Sequence, residues 1–156
     1  MKAEDLMVGD WVCVRSNDKE DTHNFKIKSI ISEGVYGPGF VGFDEDLEFI
    51  PLTSEILEKN GFIEIEKEHF KETSTHIYAY LGDNDEFEDG FAICGSDEVG
   101  YYLGYNLNGY PVFIGKNVPS TDPNCMGYVY QKHNVNYVHQ LQHILNLFEI
   151  ETNIII

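Results

Sequence analysis

Two histidines, His139 and His143, stand four residues apart in the segment NYVHQLQHILNLF (residues 136–148). On a helix that spacing puts both rings on one side, where two neutral imidazoles can grip zinc or copper. The hydrolytic form of this pattern needs a glutamate directly after the first histidine, and here Gln140 follows His139. Glu149, His133 and Cys125 are the candidate third ligands, none of them at a fixed metal-site spacing. The pair is therefore read as exposed polar helix surface, with His139 and His143 kept as weak metal candidates.

Three other stretches carry the letters of a chemistry without its context. Gly37-Pro38-Gly39-Phe40-Val41-Gly42 matches G-x-G-x-x-G. A dinucleotide needs those glycines between a strand and a helix N-terminus. Here Phe43-Asp44-Glu45-Asp46 and a strand-like segment follow, so the glycines read as a tight turn. Asp83 to Asp89, DNDEFED, lacks the EF-hand pattern: Glu88 stands where the loop's glycine belongs. It reads as a solvated acidic loop. Cys94-Gly95-Ser96 is a fragment of a cysteine-protease signature with the remainder missing. No G-x-S-x-G, phosphate-binding loop or H-E-x-x-H occurs. No catalytic residue, cofactor or resident metal is expected, and an enzyme or metal protein stands as a subordinate alternative.

Charge narrows the partners. The chain has 156 residues and a formal charge of −17. Residues 1–100 hold 24 acidic and 8 basic side chains, a balance of −16, whereas residues 101–156 hold 3 and 2. Direct binding to nucleic-acid phosphates and to anionic membrane surfaces is disfavoured. The three cysteines, Cys13, Cys94 and Cys125, are odd in number and widely spaced, which argues against a disulfide framework. No apolar run reaches the roughly 18 residues of a membrane span, and MKAEDLMVGDW is not a secretory leader, so a cytoplasmic setting is expected.

The elements that must position these residues are mostly strands. With 42% apolar and 13% aromatic residues the chain can bury a core. A helical turn is expected at Ala3 to Leu6 and a strand at Trp11–Val14. A loop follows over Ser16–Asn24, then an alternating strand over Phe25–Ile30. Leu47–Leu52 reads as strand. Thr53-Ser54-Glu55 opens a helix that Asn60-Gly61 closes. Strands are expected at Phe62–Glu66, Thr75–Leu81 and Phe91–Cys94. YYLGYNL-NG-YPVFIG reads as a hairpin, with Asn108-Gly109 suited to a type I′ turn. Lys116–Met126 reads as loop, Tyr128–Gln131 as strand and Asn136–Phe148 as the main amphipathic helix. Its apolar face is Tyr137, Val138, Leu141, Ile144, Leu145 and Phe148, and its outward face is His139, Gln142, His143 and Asn146. The apolar tail Thr152–Ile156 is expected to pair or tuck in. The class is α+β, mostly antiparallel β: an SH3-like curled barrel over residues 1–52, then an α+β part over 53–156.

Three blocks, MKAEDLMVGDWV, DLEFIPLTSEILEKNGF (residues 46–62) and NYVHQLQHILNLF, resemble short proteins of phages and mobile elements from Bacteroides-type gut bacteria. The resemblance implies a genomic setting and carries over no activity and no site residue. With no complete catalytic set, the leading expectation is a non-enzymatic accessory protein that binds an unidentified protein partner. Its surface would be Tyr101, Tyr102, Tyr105 and Tyr110, aromatic side chains with a polar handle, or His139, Gln142 and His143. The alternative is an acidic decoy, its carboxylates imitating DNA phosphates before a host DNA-binding protein.

Overall fold

The computed structural model describes residues 6–15, 22–43, 45–65, 76–80, 91–107, 110–121, 127–150 and 153–156. The chain divides into two compact units. One comprises residues 1–51 with 137–153, the other residues 52–136 with 154–156. The C-terminal helix thus belongs with the N-terminal strands, although it is remote from them in sequence.

The first unit begins with β1 (Trp11–Arg15), flanked by β2 (Thr22–Lys26) and β6 (Leu47–Glu48) in an antiparallel sheet of order β2-β1-β6. Alternation along β1 sends Val12 and Val14 inward to meet Leu6, Phe25, Ile27, Val35 and Leu47. A second sheet joins β3 (Ser29–Ile31), β4 (Gly34–Gly37) and β5 (Phe40–Phe43). Among the described residues these two sheets do not close into a barrel. The alternating run Phe25–Ile30 is two strands, because the Ile27 N–H still donates to the Asp10 carbonyl beside β1 whereas the Lys28 N–H turns to the Tyr36 carbonyl. The strand expected over Leu47–Leu52 ends at Glu48, and Pro51 forms only an isolated bridge to Tyr137.

Inside the β4–β5 hairpin, Gly37 and Gly42 of the G-x-G-x-x-G run answer to packing and Gly39 to backbone conformation. A Cβ on Gly37 would overlap the Phe25 ring at 2.1 Å, and one on Gly42 would meet Leu47 and Val14 at 2.8 Å. Gly39 takes φ +82° in the turn. No helix follows, so no dinucleotide cradle forms.

The second unit opens with α1 (Ser54–Lys59). Its N-cap, Thr53, accepts the Ile56 N–H at 3.3 Å, and Gly61 at φ +82° ends it. A five-stranded antiparallel meander follows: β7 (Phe62–Glu64), β8 (His76–Tyr80), β9 (Phe91–Ser96), β10 (Gly100–Leu107) and β11 (Tyr110–Phe113), in spatial order β11-β10-β9-β8-β7. The pairing Leu107↔Tyr110 sets the hairpin register expected from Asn108-Gly109, a pair outside the described residues. Ile77, Ala92 and Cys94 form a buried cluster with Ile65 and Phe113 against it. β12 (Gly115–Pro119) pairs with β13 (Tyr128–Lys132) as a two-stranded ribbon. Residues 116–119 are therefore strand where loop was expected, with Pro119 tolerated at the strand's last position. The tail tucks in through Asn60, whose amide donates to the Ile155 carbonyl and accepts its N–H, both at 2.8 Å. The turn expected at Ala3–Leu6, the acidic loop Asp83–Asp89 and Cys125 lie outside the described residues, except for Leu6.

The helix α2 (Val138–Leu147) is shorter than expected and departs from its expected faces. Val138, Leu141, Ile144 and Leu145 are buried, but Phe148 at the end is 48% exposed. On the polar side Asn146 is exposed as expected, but His139 and Gln142 are buried and His143 is half-buried, for reasons their contacts explain.

Candidate functional site

Strand β10 carries three of the tyrosines singled out above, Tyr101, Tyr102 and Tyr105, and its alternation separates Tyr101 from Tyr102. Tyr101 is 1% exposed. Its hydroxyl donates to Asp97 Oδ1 at 2.7 Å, and its backbone N–H donates to Asn136 Oδ1 at 2.9 Å. Asp97, in the turn after β9, also accepts the Ser54 N–H and the Ser54 hydroxyl, each at 3.1 Å. The Tyr101 hydroxyl, with Ser54 behind it, holds the Asp97 carboxyl below the usual aspartate range. Burial first, then the hydrogen bond to Asp97 and its charge, pushes the Tyr101 phenol well above its usual range. Burial, followed by Glu64, also raises Tyr78.

Ser54, Glu64, His76, Tyr78, Asp97 and Tyr101 line a groove of about 440 Å³. A hydroxyl, an imidazole and carboxylates thus share one wall, the ingredients of nucleophilic catalysis. Their bonding runs elsewhere. Ser54 donates to Asp97, whereas the His76 ring bonds Glu64. Hydroxyl and imidazole are drawn to different acids, so the nucleophile–base contact that activates serine is not made. The Asp97 knot ties the start of α1 to β10.

Tyr102 points to the other face of the sheet. Its ring lies edge-on to Phe113 at 6.0 Å, and the Lys132 ammonium sits 4.9 Å from its centroid and 3.6 Å from that of Phe113. Tyr105 is exposed, and Tyr110 enters β11 opposite Leu107. Among the described residues the most open aromatics lie in β13, where Tyr128 is 74% and Tyr130 is 53% exposed, with Val129 exposed between them. The Tyr130 hydroxyl donates to the Phe113 carbonyl at 2.8 Å, which fixes the ring while leaving half of it open.

The helix residues turn inward, a correction to the sequence expectation. His139 is 5% exposed and stacks on Phe49 with ring centroids 4.5 Å apart. Gln142 is 9% exposed; its Oε1 accepts the Trp11 N–H at 2.9 Å and its Nε2 donates to the Gly9 carbonyl at 3.0 Å. His143 Nε2 bonds the buried carboxylate of Asp10 at 2.8 Å, and the Met7 N–H donates to the same oxygen at 2.7 Å. A polar side chain is buried without penalty when its partners are supplied, and backbone groups around Gly9 and Trp11 supply them. The two rings meet edge-on at 5.7 Å. Among the described residues no three His, Cys, Asp or Glu side chains converge as a metal site. Cys94 is fully buried in the sheet core, and burial is the main cause that raises the half-buried Cys13 thiol above its usual range.

No protein-family model, curated protein or solved structure matches the chain. Among the described residues no helix is long and apolar enough to cross a membrane. Sequence reasoning missed the Asp97 knot and the Asp10–His143 pair. The openness of β13 was signalled by its Tyr-Val-Tyr run, which has no polar member to alternate with.

Proposed function

We propose that this chain is a non-enzymatic accessory protein that engages a partner protein through the β12–β13 ribbon. The observation that carries this reading is the run Tyr128-Val129-Tyr130, exposed on both faces of a ribbon rather than packed into a core. Tyrosine buries large area at small entropic cost and keeps a hydroxyl for the rim, which suits a recurrent contact surface. The ribbon strands carry Lys116 and Lys132 and no acid, so the surface favours a partner segment that is apolar with an acidic flank. The resemblance of the chain's three blocks to phage and mobile-element proteins is in keeping with a role beside a host factor.

Site-specific photo-crosslinking tests this. p-Benzoylphenylalanine replaces Tyr128 in one variant and Phe43, an exposed aromatic of the first unit, in another. The reading expects one discrete adduct from position 128, absent from position 43 and abolished by Tyr130→Ser. Equal, diffuse labelling from both positions overturns it.

The acidic-decoy reading draws on the groove beside Asp97, where Glu58, Glu64, Asp97 and Glu98 share one wall. It predicts salt-sensitive capture of a basic protein that Glu58→Gln with Glu98→Gln removes.

A further inference from the structure

The ribbon has a second feature, independent of its tyrosine faces: one of its edges is left open. The ladder is anchored beyond both ends. The Ser120 N–H donates to the Gly127 carbonyl at 2.9 Å, and the His133 N–H donates to the Ile114 carbonyl at 2.8 Å. Bonded and non-bonded pairs alternate along an antiparallel ladder, so the pairs Lys116↔Gln131 and Val118↔Val129 are the bonded ones. The backbone groups of Tyr128, Tyr130 and Lys132 therefore point away from β12, as those of Gly115, Asn117 and Pro119 point away from β13. Among the described residues no strand pairs with either outer edge, and every residue of β13 is exposed.

The two edges are not alike. Pro119 has no N–H to offer, which blunts the β12 edge. β13 contains no proline and turns three residues' donors and acceptors outward. Lysine is the other common guard of an edge, but the Lys132 ammonium is drawn over the Phe113 and Tyr102 rings, at 3.6 and 4.9 Å from their centroids. An unguarded edge is a template for one more strand. This template fits itself. About a two-fold axis at Tyr130, an antiparallel second β13 sets Tyr130 against Tyr130 of the second copy and Tyr128 against Lys132 of the second copy. Outward groups then meet outward groups in every such pair, each exchanging two hydrogen bonds. Charge selects the same occupant. Copies of a −17 chain repel wherever their carboxylates face each other. The strands of this ribbon carry Lys116 and Lys132 and no acid, and residues 101–156 hold 3 acidic and 2 basic side chains.

We infer that β13 is a dimerisation strand: two copies of this chain join edge to edge along Tyr128–Lys132 into a four-stranded, two-fold sheet of order β12-β13-β13-β12. Pairing through the edge leaves both faces of the ribbon free, so the tyrosine surface is doubled and not covered. The seam is 5 residues long on each copy, well below the extent of a standard interface. The dimer is accordingly weak, with a dissociation constant on the order of 100 µM.

Sedimentation velocity of the full chain at physiological salt, from about 10 µM to about 1 mM, tests this. The weight-average mass should climb from the 17.9 kDa of one chain toward twice that. A mixture of isotope-labelled and unlabelled chains should give a filtered NMR contact between Val129 Hα and Gln131 Hα of the other copy, the close non-bonded pair of this register. Tyr130→Pro removes an N–H that points outward, so it should spare the β12 ladder and weaken association at least about tenfold. Asn117→Pro makes the same lesion directly across the ribbon, on the β12 edge, and should leave the mass profile unchanged. A parent chain that stays monomeric to about 1 mM, equal losses in the two proline variants, or unchanged association in Tyr130→Pro each overturns the inference. If Tyr130→Pro fails to fold, the filtered contact in the parent decides: its presence at Val129 and Gln131 upholds the register and its absence overturns it. In the crosslinking experiment an adduct of twice the chain mass at position 128 reports this pairing. An adduct of any other mass reports the tyrosine surface, so the two readings stand or fall separately.

Discussion

Asp97 should stabilise the second unit mainly through a tyrosine that water cannot reach. Its carboxylate takes the Tyr101 hydroxyl at 2.7 Å and two donors of Ser54 at 3.1 Å. Asp97 itself is exposed, so its charge is well solvated and contributes little by Coulomb attraction alone. Tyr101 is 1% exposed, and a buried hydroxyl without an acceptor costs about 1–3 kcal/mol. Adding the lost contact to the first turn of α1, Asp97→Ala should destabilise by about 2–3 kcal/mol. Tyr101→Phe removes the hydroxyl that needs the acceptor, and should cost about 1 kcal/mol. In the Tyr101→Phe background the Asp97→Ala change then has less to lose, about 1 kcal/mol, so the pair couples by about 1–2 kcal/mol. The measurement is urea unfolding followed by far-UV circular dichroism, with hydrogen exchange at the Tyr101 and Leu103 amides to locate the loss. Additivity of the two changes to within about 0.5 kcal/mol would refute the argument, because independent sites add and bonded sites do not.

The same pair sets a pH dependence at both ends. The native Asp97 carboxyl lies below its usual range, so its stabilisation is present above that range and is lost as pH falls through the lower native value. The native Tyr101 phenol lies above the usual value near 10, so its contribution holds below that value and is lost as pH rises beyond it. Unfolding free energy measured against pH should therefore flatten at both ends in Tyr101→Phe relative to the parent. In the first unit, Asp10→Ala strands the Met7 N–H and the His143 ring, and should cost about 3 kcal/mol. Trp11 is the single tryptophan and neighbours Asp10, so its fluorescence reads that loss during urea unfolding. Gly34→Ala puts a Cβ 2.1 Å from the Gly42 carbonyl oxygen, backbone that cannot swing aside, and should cost more than about 3 kcal/mol. Gly39, with open space around it, should accept Asn at a cost of about 1 kcal/mol or less by the same assay.

How much of this was legible in the chain follows from the range of each interaction. The helix at residues 54–59 is announced by neighbours: Thr53 accepts from Ile56, three residues on, and Gly61 closes the turn that Asn60 begins. The hairpin register follows from two residues between two alternating runs. The class, antiparallel strands with two helices among the described residues, rests on such local signals. β12 escaped notice because Lys, Asn and Pro are poor strand formers, and it is a strand only through its pairing with β13. The tyrosines of β10 looked like one surface. A period of two guarantees that Tyr101 and Tyr102 face opposite ways, and the burial of both faces decides that Tyr101 is core.

The helix α2 shows why polar faces mislead. Period analysis sorts side chains into apolar and polar arcs and assumes that the polar arc meets water. His139, Gln142 and His143 obey the period and break the assumption. Gln142 serves backbone groups of Gly9 and Trp11, 133 and 131 residues away, and His143 serves Asp10 at the same remove. Nothing in a window of helical length can reveal such partners. Gly9 takes φ +100° and its carbonyl accepts the Gln142 amide, while Asp10 buries a carboxylate beside it. The VGDW stretch is therefore best understood as a polar socket for one side of a distant helix. That is a structural use for the histidine pair, and it moves the search for a partner surface away from α2 to the ribbon, where aromatic area is left uncovered.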